Sequence, residues 1–330
     1  MKLNKLIFLI LLLIIISLPR FNWRPLPEPL NKFVGGKPFD VEQYEKYVEY
    51  FRGNTNLVSE LEGPFSYRPL VPFLASYLPF DALTSINIIN LIFLVIGLVY
   101  LKRFLIYLEF EEKWVLLGQI LFIVSFPHFY YSTSGYIDAS VLGILSITMY
   151  YLFLNKYFHF LLSFLIGIFI KETVMIILPV AVVYFLLRDS VKNKILKISI
   201  PLFLYISTII IIRISVPQKE NYIWNPSFEI FMSNLGRVKT YLTFIFTFGI
   251  PGILSLLLIF SGVRKKISRN LLFPLITGFV FSILLWIYSL FAAYSDGRQI
   301  WTSYIFTIPL SLLFIEKKFN NSSKSWTDEN

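Results

Sequence analysis

Residues 39–72 read FDVEQYEKYVEYFRGNTNLVSELEGPFSYRPLVP, the one long polar passage in an otherwise apolar chain, set between a first apolar run and all later ones. Val41, Tyr44, Val48 and Phe51 recur at helical spacing and Gly53 ends the pattern, which predicts a helix over residues 40–52 with one apolar and one acidic face. Asp40 followed by Gln43 has the form of a capping box, and Phe39 with Tyr44 that of a hydrophobic staple.

Outside this passage the composition sets the class. Of the 330 residues 56% are hydrophobic and only 15% charged, which is not the balance of a soluble domain. The apolar runs are continuous and lack the alternation of barrel strands, so in lipid each must satisfy its backbone as a helix. The formal net charge of +10 raises nucleic acid as a partner, but the basic residues gather in short links and tails, as in cytoplasmic loops. With no cysteine, the chain has no disulfides, thiol nucleophiles or thiolate metal sites, and two histidines, His128 and His159, are too few for a histidine metal cluster.

Lys2 and Lys5 precede an apolar run over 6–18 that is short for a span, but no small-x-small site follows it, so it reads as an uncleaved first span. Residues 69–82, PLVPFLASYLPFDA, hold an apolar stretch of about a dozen residues broken by Pro69, Pro72 and Pro79, which is expected to dip into the interface and return. Further spans are read near 83–101, 114–131, 139–155, 157–170, 173–187, 198–214, 240–262, 271–293 and 300–315, giving about ten transmembrane helices. With the N-terminus inside, seventeen Lys and Arg fall on the cytoplasmic side, against Lys171, Lys219, Arg237, Lys239 and Arg298 in the short outer segments and Arg213 just inside the outer end of its span; the long first loop holds seven more, but long loops translocate largely regardless of charge. The expected fold is therefore an all-α membrane protein, both termini cytoplasmic, with a transmembrane domain over 1–318 and a polar, disordered tail over 319–330. The outer loop 19–82 carries amphipathic juxtamembrane helices, among them the interfacial helix 40–52.

This topology sorts the polar residues. The outer side collects Asp40, Glu42 and Arg68, then His128 and Asp138 from FPHFYYSTSGYIDAS, Lys171 and Glu172 from IFIKETVMIILP, and Asp296 and Arg298 from AAYSDGRQIW. Each has a plain structural reading beside a functional one. Asp40 and Asp138 are placed to cap helices, Glu42 to face water, Lys171 and Glu172 to pair with each other, Asp296 and Arg298 to close a turn, His128 to sit at the interface, and Arg68 to snorkel. Ionisable groups at the depth of Lys171 and Glu172 nonetheless demand partners.

The arrangement resembles the GT-C class of integral membrane glycosyltransferases, which take sugars from polyprenyl-phosphate carriers. In that class an acidic residue at the start of an amphipathic helix in the first outer loop is the catalytic base, and FDVEQYEKYVEYF puts Asp40 in that place. SYRPLVPFLASYLP looks like the aromatic-Arg-Pro-Leu segment of many bacterial members, GYIDAS like their next acidic motif, IKET like a Lys-Glu-Thr at a later span end, and DGRQIW like the Arg-containing motif near the last spans. The chain has Asp40-Val41-Glu42 where the class has an Asp-Glu dipeptide, and it lacks a large C-terminal outer domain. The base thus lies between Asp40 and Glu42.

The resemblance implies transfer of a hexose or pentose to a glycan, lipid or protein of the cell envelope at the outer face of the plasma (inner) membrane. Such chemistry needs a carboxylate within about 3 Å of the acceptor hydroxyl, and positive charge for the departing phosphate, which Arg298, Lys171 or Arg68 could supply. Asp138, Glu172, Asp296 and His128 would support the site. Asp138 or Glu172 could hold a divalent metal if one is required, and no other cofactor is implied. Two other readings are a transporter or lipid-linked-glycan flippase, against which the nearly charge-free mid-span positions count, and a polysaccharide polymerase or ligase, kept open by the loop over 215–239.

Overall fold

The computed structural model describes residues 3–21, 38–188, 191–216, 225–293 and 295–327, which fold into helices without a strand among them. The sequence readings that fall on 22–37, on Lys219 and on 328–330 lie outside the described residues. The first elements are α1 (Leu3–Ser17), α2 (Phe39–Phe51), α3 (Leu70–Ser76), α4 (Ala82–Tyr107), α5 (Glu112–Ile123), α6 (Phe126–Tyr131) and α7 (Asp138–Phe153). There follow α8 (Tyr157–Ile170), α9 (Ile177–Arg188), α10 (Val191–Ser215), α11 (Phe228–Leu235), α12 (Val238–Phe260), α13 (Arg269–Ala292) and α14 (Tyr304–Thr327). Short 3-10 segments precede α9 (Glu172–Ile176) and α14 (Gly297–Ser303).

Among the described residues, five segments are long and apolar enough to cross a membrane: Ala82–Tyr107, Glu112–Tyr131, Asn193–Ser215, Val238–Phe260 and Arg269–Ala292. Helices occupy every apolar run read as a span, but α1, α7, α8 and α9 are only 15, 16, 14 and 12 residues long. Large apolar side chains crowd the outside of the longer helices, with Phe203 72% and Ile214 81% exposed on α10 and Phe260 82% on α12. Water would not tolerate that surface; lipid does.

The helix expected over 40–52 forms as α2, one residue earlier. Its buried face carries Val41, Tyr44 and Val48, joined by Gln43 and Tyr47. The capping box does not form. Pro38 occupies the N-cap, the Gln43 Oε1 accepts instead from the Glu62 amide at 2.9 Å, and Asp40 is left in the first turn, where the helix dipole favours an anion. Phe39 and Tyr44 meet as a staple only through Phe65, each packing edge-on against it at 5.7 Å. At the other terminus α14 continues to Thr327, so the backbone expected to be disordered is helical to that point. Extending a formed helix costs far less than nucleating one.

The alternation of helix direction defines two ends. At one, the start of α7, the end of α8, the Glu172–Ile176 segment, the end of α13 and the Gly297–Ser303 segment gather beneath α2. At the other, Tyr107, Phe153, Arg188 and Ser268 line a cavity of about 280 Å³, with Arg264, Lys265, Lys266 and Arg269 in the segments beside it.

Candidate functional site

Seven ionisable residues from five stretches of chain converge at the first end. Arg298 donates from Nη2 to the Asp40 Oδ2 at 2.8 Å, and its Nε lies 3.5 Å from Asp138 and 3.8 Å from Asp296. Lys171 donates to the other oxygen of Asp138 at 2.6 Å. Arg68 grips both oxygens of Glu172 through Nε and Nη2, with Nε to Oε2 at 2.8 Å, and donates from Nη1 to the Tyr44 hydroxyl at 2.6 Å. Four carboxylates thus meet three cations, a formal charge of −1. Asp138, Lys171, Arg298 and Arg68 are buried, whereas the Asp40 side chain keeps 19% of its surface.

Local sequence explains the placement. The turn into α7 runs through Gly135, whose φ of 88° suits glycine and where a Cβ would lie 2.4 Å from Val41 of α2, so α2 can lie directly on this turn. Asn87 and Asn90 on α4 hold the turn from below. Asn87 accepts from the Gly135 amide at 2.8 Å, and Asn90 donates to the Tyr136 carbonyl at 2.5 Å while accepting from Ser140 at 2.7 Å. The Tyr136 ring then sits 3.7 Å from the Arg298 guanidinium carbon. On the opposite wall Asp296 caps its own 3-10 turn by accepting from the Arg298 amide at 3.0 Å. The Gly297 amide donates to Thr243 of α12 at 2.8 Å, an approach at which any Cβ would strike the Thr243 carbonyl.

Several plain readings change. Lys171 and Glu172 do not pair with each other, because the backbone leaves α8 extended at Lys171 and sends the two side chains to different partners. Arg68 does not snorkel outward; it is wholly buried and bonded to Glu172 and Tyr44, which leaves it no free face for a phosphate. Asp138 opens α7 without acting as its cap, both oxygens facing cations. Glu42 stays out of the cluster: its side chain is 47% exposed and pairs with Lys46 at 3.1 Å. His128 also lies outside the ionic contacts, buried on α6 with Nδ1 2.8 Å from the Ser125 hydroxyl and its ring edge-on to Trp301 at 5.1 Å. Asp138 and Glu172, named as metal ligands in waiting, have their oxygens on cations, and among the described residues no group of three or more His, Cys, Asp or Glu is placed to hold a metal ion. Tyr44, read from the sequence only as an apolar-face residue, and Tyr136 also belong to the site; their positions, four residues after Asp40 and two before Asp138, signal a shared face and a shared turn.

Burial alone would push Glu172 up, but the Arg68 guanidinium outweighs it and holds the carboxyl below the ordinary 4.5. Arg68 is shifted the opposite way, upward, because Glu172 together with Tyr44 overcomes its burial, so the pair stays ionised. A carboxyl depressed in the folded state stabilises the fold fully above its unfolded value and loses that contribution as pH falls through the folded one. The thermal midpoint of the wild type is therefore expected to fall below about pH 4.5, and Glu172→Gln to show a shallower fall over the same range. Parallel curves in a pH series would show that this pair carries no linkage.

No protein-family model, no curated protein and no solved structure matches the chain. Among the described residues its structure is all-helical, with five segments long and apolar enough to cross a membrane and an ionic cluster at one end of the bundle.

Proposed function

We propose that the chain is a GT-C-like membrane glycosyltransferase, moving a sugar from a polyprenyl-phosphate donor to an acceptor hydroxyl on the extracytoplasmic face, with Asp40 as base. The observation that carries this reading is the direct contact of Asp40, part-exposed at the start of an amphipathic helix, with Arg298 at 2.8 Å. An in-line transfer from a sugar phosphate needs a base on the acceptor side of the anomeric carbon and a cation on the leaving-group side, the two roles Asp40 and Arg298 take once the donor parts them. About ten spans with both termini cytoplasmic belong to the proposal; the basic segments at the end opposite the cluster support that sidedness.

In the free protein Arg298 is neutralised by Asp40, Asp138 and Asp296. A donor phosphate competes with Asp40 for the guanidinium and releases the carboxylate towards the acceptor. The acceptor oxygen then bonds to the anomeric carbon as the bond from that carbon to the phosphate oxygen breaks. The hydroxyl proton passes to Asp40, and the electron pair leaves on the phosphate, held by Arg298 with Lys171 behind it. Arg298→Ala is accordingly expected to raise the donor KM at least 10-fold, the scale of one charge-assisted contact to phosphate. Measured transfer with an unchanged donor KM would remove Arg298 from the phosphate site.

One observation favours a second reading, a transporter or lipid-linked-glycan flippase. Within the membrane-length helix α12, Gly249 has non-helical angles (φ 50°, ψ −160°) and Pro251 follows, so the helix is interrupted mid-span, as in many transporters. The groups bonded there are neutral: Tyr304 donates to the Thr247 carbonyl, and Ser255 and Ser311 to the Pro251 carbonyl. The charged groups lie at the end instead, which favours the enzyme.

A further inference from the structure

Resting on the transferase reading, we infer that Tyr44, Arg68 and Glu172 form a positioning strut that sets where the Asp40 carboxylate stands, and that Arg68 serves the reaction in this way rather than by touching the donor. Asp40 and Tyr44 are one helical turn apart, so they leave α2 on the same side. The first reaches Arg298 at 2.8 Å and the second is reached by Arg68 at 2.6 Å, so α2 is pinned at two points to two different parts of the bundle. The second pin is the stiffer. Arg68 and Tyr44 are wholly buried, and the planar guanidinium is fixed by Glu172 on its other edge. Glu172 is itself built into the junction between α8 and α9, and its carbonyl accepts from the Tyr205 hydroxyl of α10 at 3.4 Å. Tyr44 also packs on Phe65, which shares the turn from which Arg68 emerges.

The Asp40–Arg298 contact is the one a donor phosphate must break. Once it opens, the pin at Tyr44 is the contact to a charged group that remains on the Asp40 side of α2, beside the packing of Val41 and Val48 and the bond from the Glu62 amide to Gln43. A displacement of the order of 1 Å at the Asp40 carboxylate is worth up to ~10²-fold in rate. The strut therefore acts on turnover, through Asp40, and not on donor affinity.

Tyr44→Phe tests this, because it removes the hydroxyl and keeps the ring on Phe65. Expected are a kcat about 10-fold lower, a donor KM within about twofold of wild type and a thermal midpoint lowered by no more than the loss of one buried hydrogen bond. Glu172→Gln, which keeps the shape but removes the charge holding Arg68, should lower kcat in the same way. The natural absence of cysteine adds a readout independent of turnover: a single Phe39→Cys, beside Asp40, should react with a soluble maleimide about threefold faster when Tyr44 is Phe. An unchanged labelling rate overturns the strut whatever the activity. Faster labelling with an unchanged kcat overturns its positioning role. If the wild type transfers no sugar, the transferase reading fails by itself, and the labelling rate still decides the strut.

Discussion

Asp40→Asn is expected to slow sugar transfer by about 10²- to 10⁴-fold, the range a general base contributes, with the fold intact. Asparagine is almost the same size, and its Oδ1 can still accept from Arg298 Nη2, so the contact at 2.8 Å survives in weaker form while the proton acceptor is lost. The helix start is not at risk, since Pro38 holds the N-cap and Asp40 contributes no cap. Glu42→Gln is the control, because Glu42 faces outward to Lys46 and its loss should change the rate less than twofold. Initial rates for both variants at saturating donor make the comparison. A normal rate in Asp40→Asn, or a collapse confined to Glu42→Gln, would move the base away from Asp40.

The largest effect on stability is expected at Asp138. The residue is 3% exposed and stands between Lys171 at 2.6 Å and Arg298 at 3.5 Å. By net charge alone, Asp138→Ala would look harmless, because it leaves three carboxylates facing three cations. Local pairing decides otherwise. Arg298 retains Asp40 and Asp296, whereas the Lys171 ammonium loses the carboxylate that bonds it and stays buried. Breaking one partner of a buried pair costs about 3–5 kcal/mol, while removing both is often nearly neutral. Asp138→Ala should therefore lower stability by about that amount, and adding Lys171→Met should recover most of it, as read from denaturation midpoints in detergent. Additive losses in the double variant would show that the two residues act separately.

The sequence told most about what would be gathered and least about who would bond to whom. The apolar runs and the polar passage were visible because a bilayer forces helices and drives charge to their ends. Asp40, Arg68, Asp138, Lys171, Glu172, Asp296 and Arg298 were all recognisable as polar residues at span ends, and all seven come to one end of the bundle, five in one ionic network and Arg68 with Glu172 in a second. Pairing was illegible, because it depends on the extended backbone at Lys171, which parts two adjacent side chains, and on the turn at Gly135, which lets α2 settle over Asp138. The choice between Asp40 and Glu42 also needed three dimensions. They lie two positions apart on one helix and so point to different sides, and only the packing of Val41 and Tyr44 says which side faces the bundle. His128 misled in the opposite sense: a polar residue in an outer stretch proved to be a buried ring against Phe122 and Trp301.

The most direct test incubates the purified protein in liposomes with polyprenyl-phosphate-linked hexoses and pentoses and an extract of envelope glycans and lipids as acceptors. Free polyprenyl phosphate and elongated product are followed by mass spectrometry. The account predicts that one donor is consumed, with release of polyprenyl phosphate, when it is presented to the face that carries Asp40 and Arg298. Passage of intact donor from one leaflet to the other, with no phosphate released, would contradict it and make the interrupted helix α12 the centre of the function.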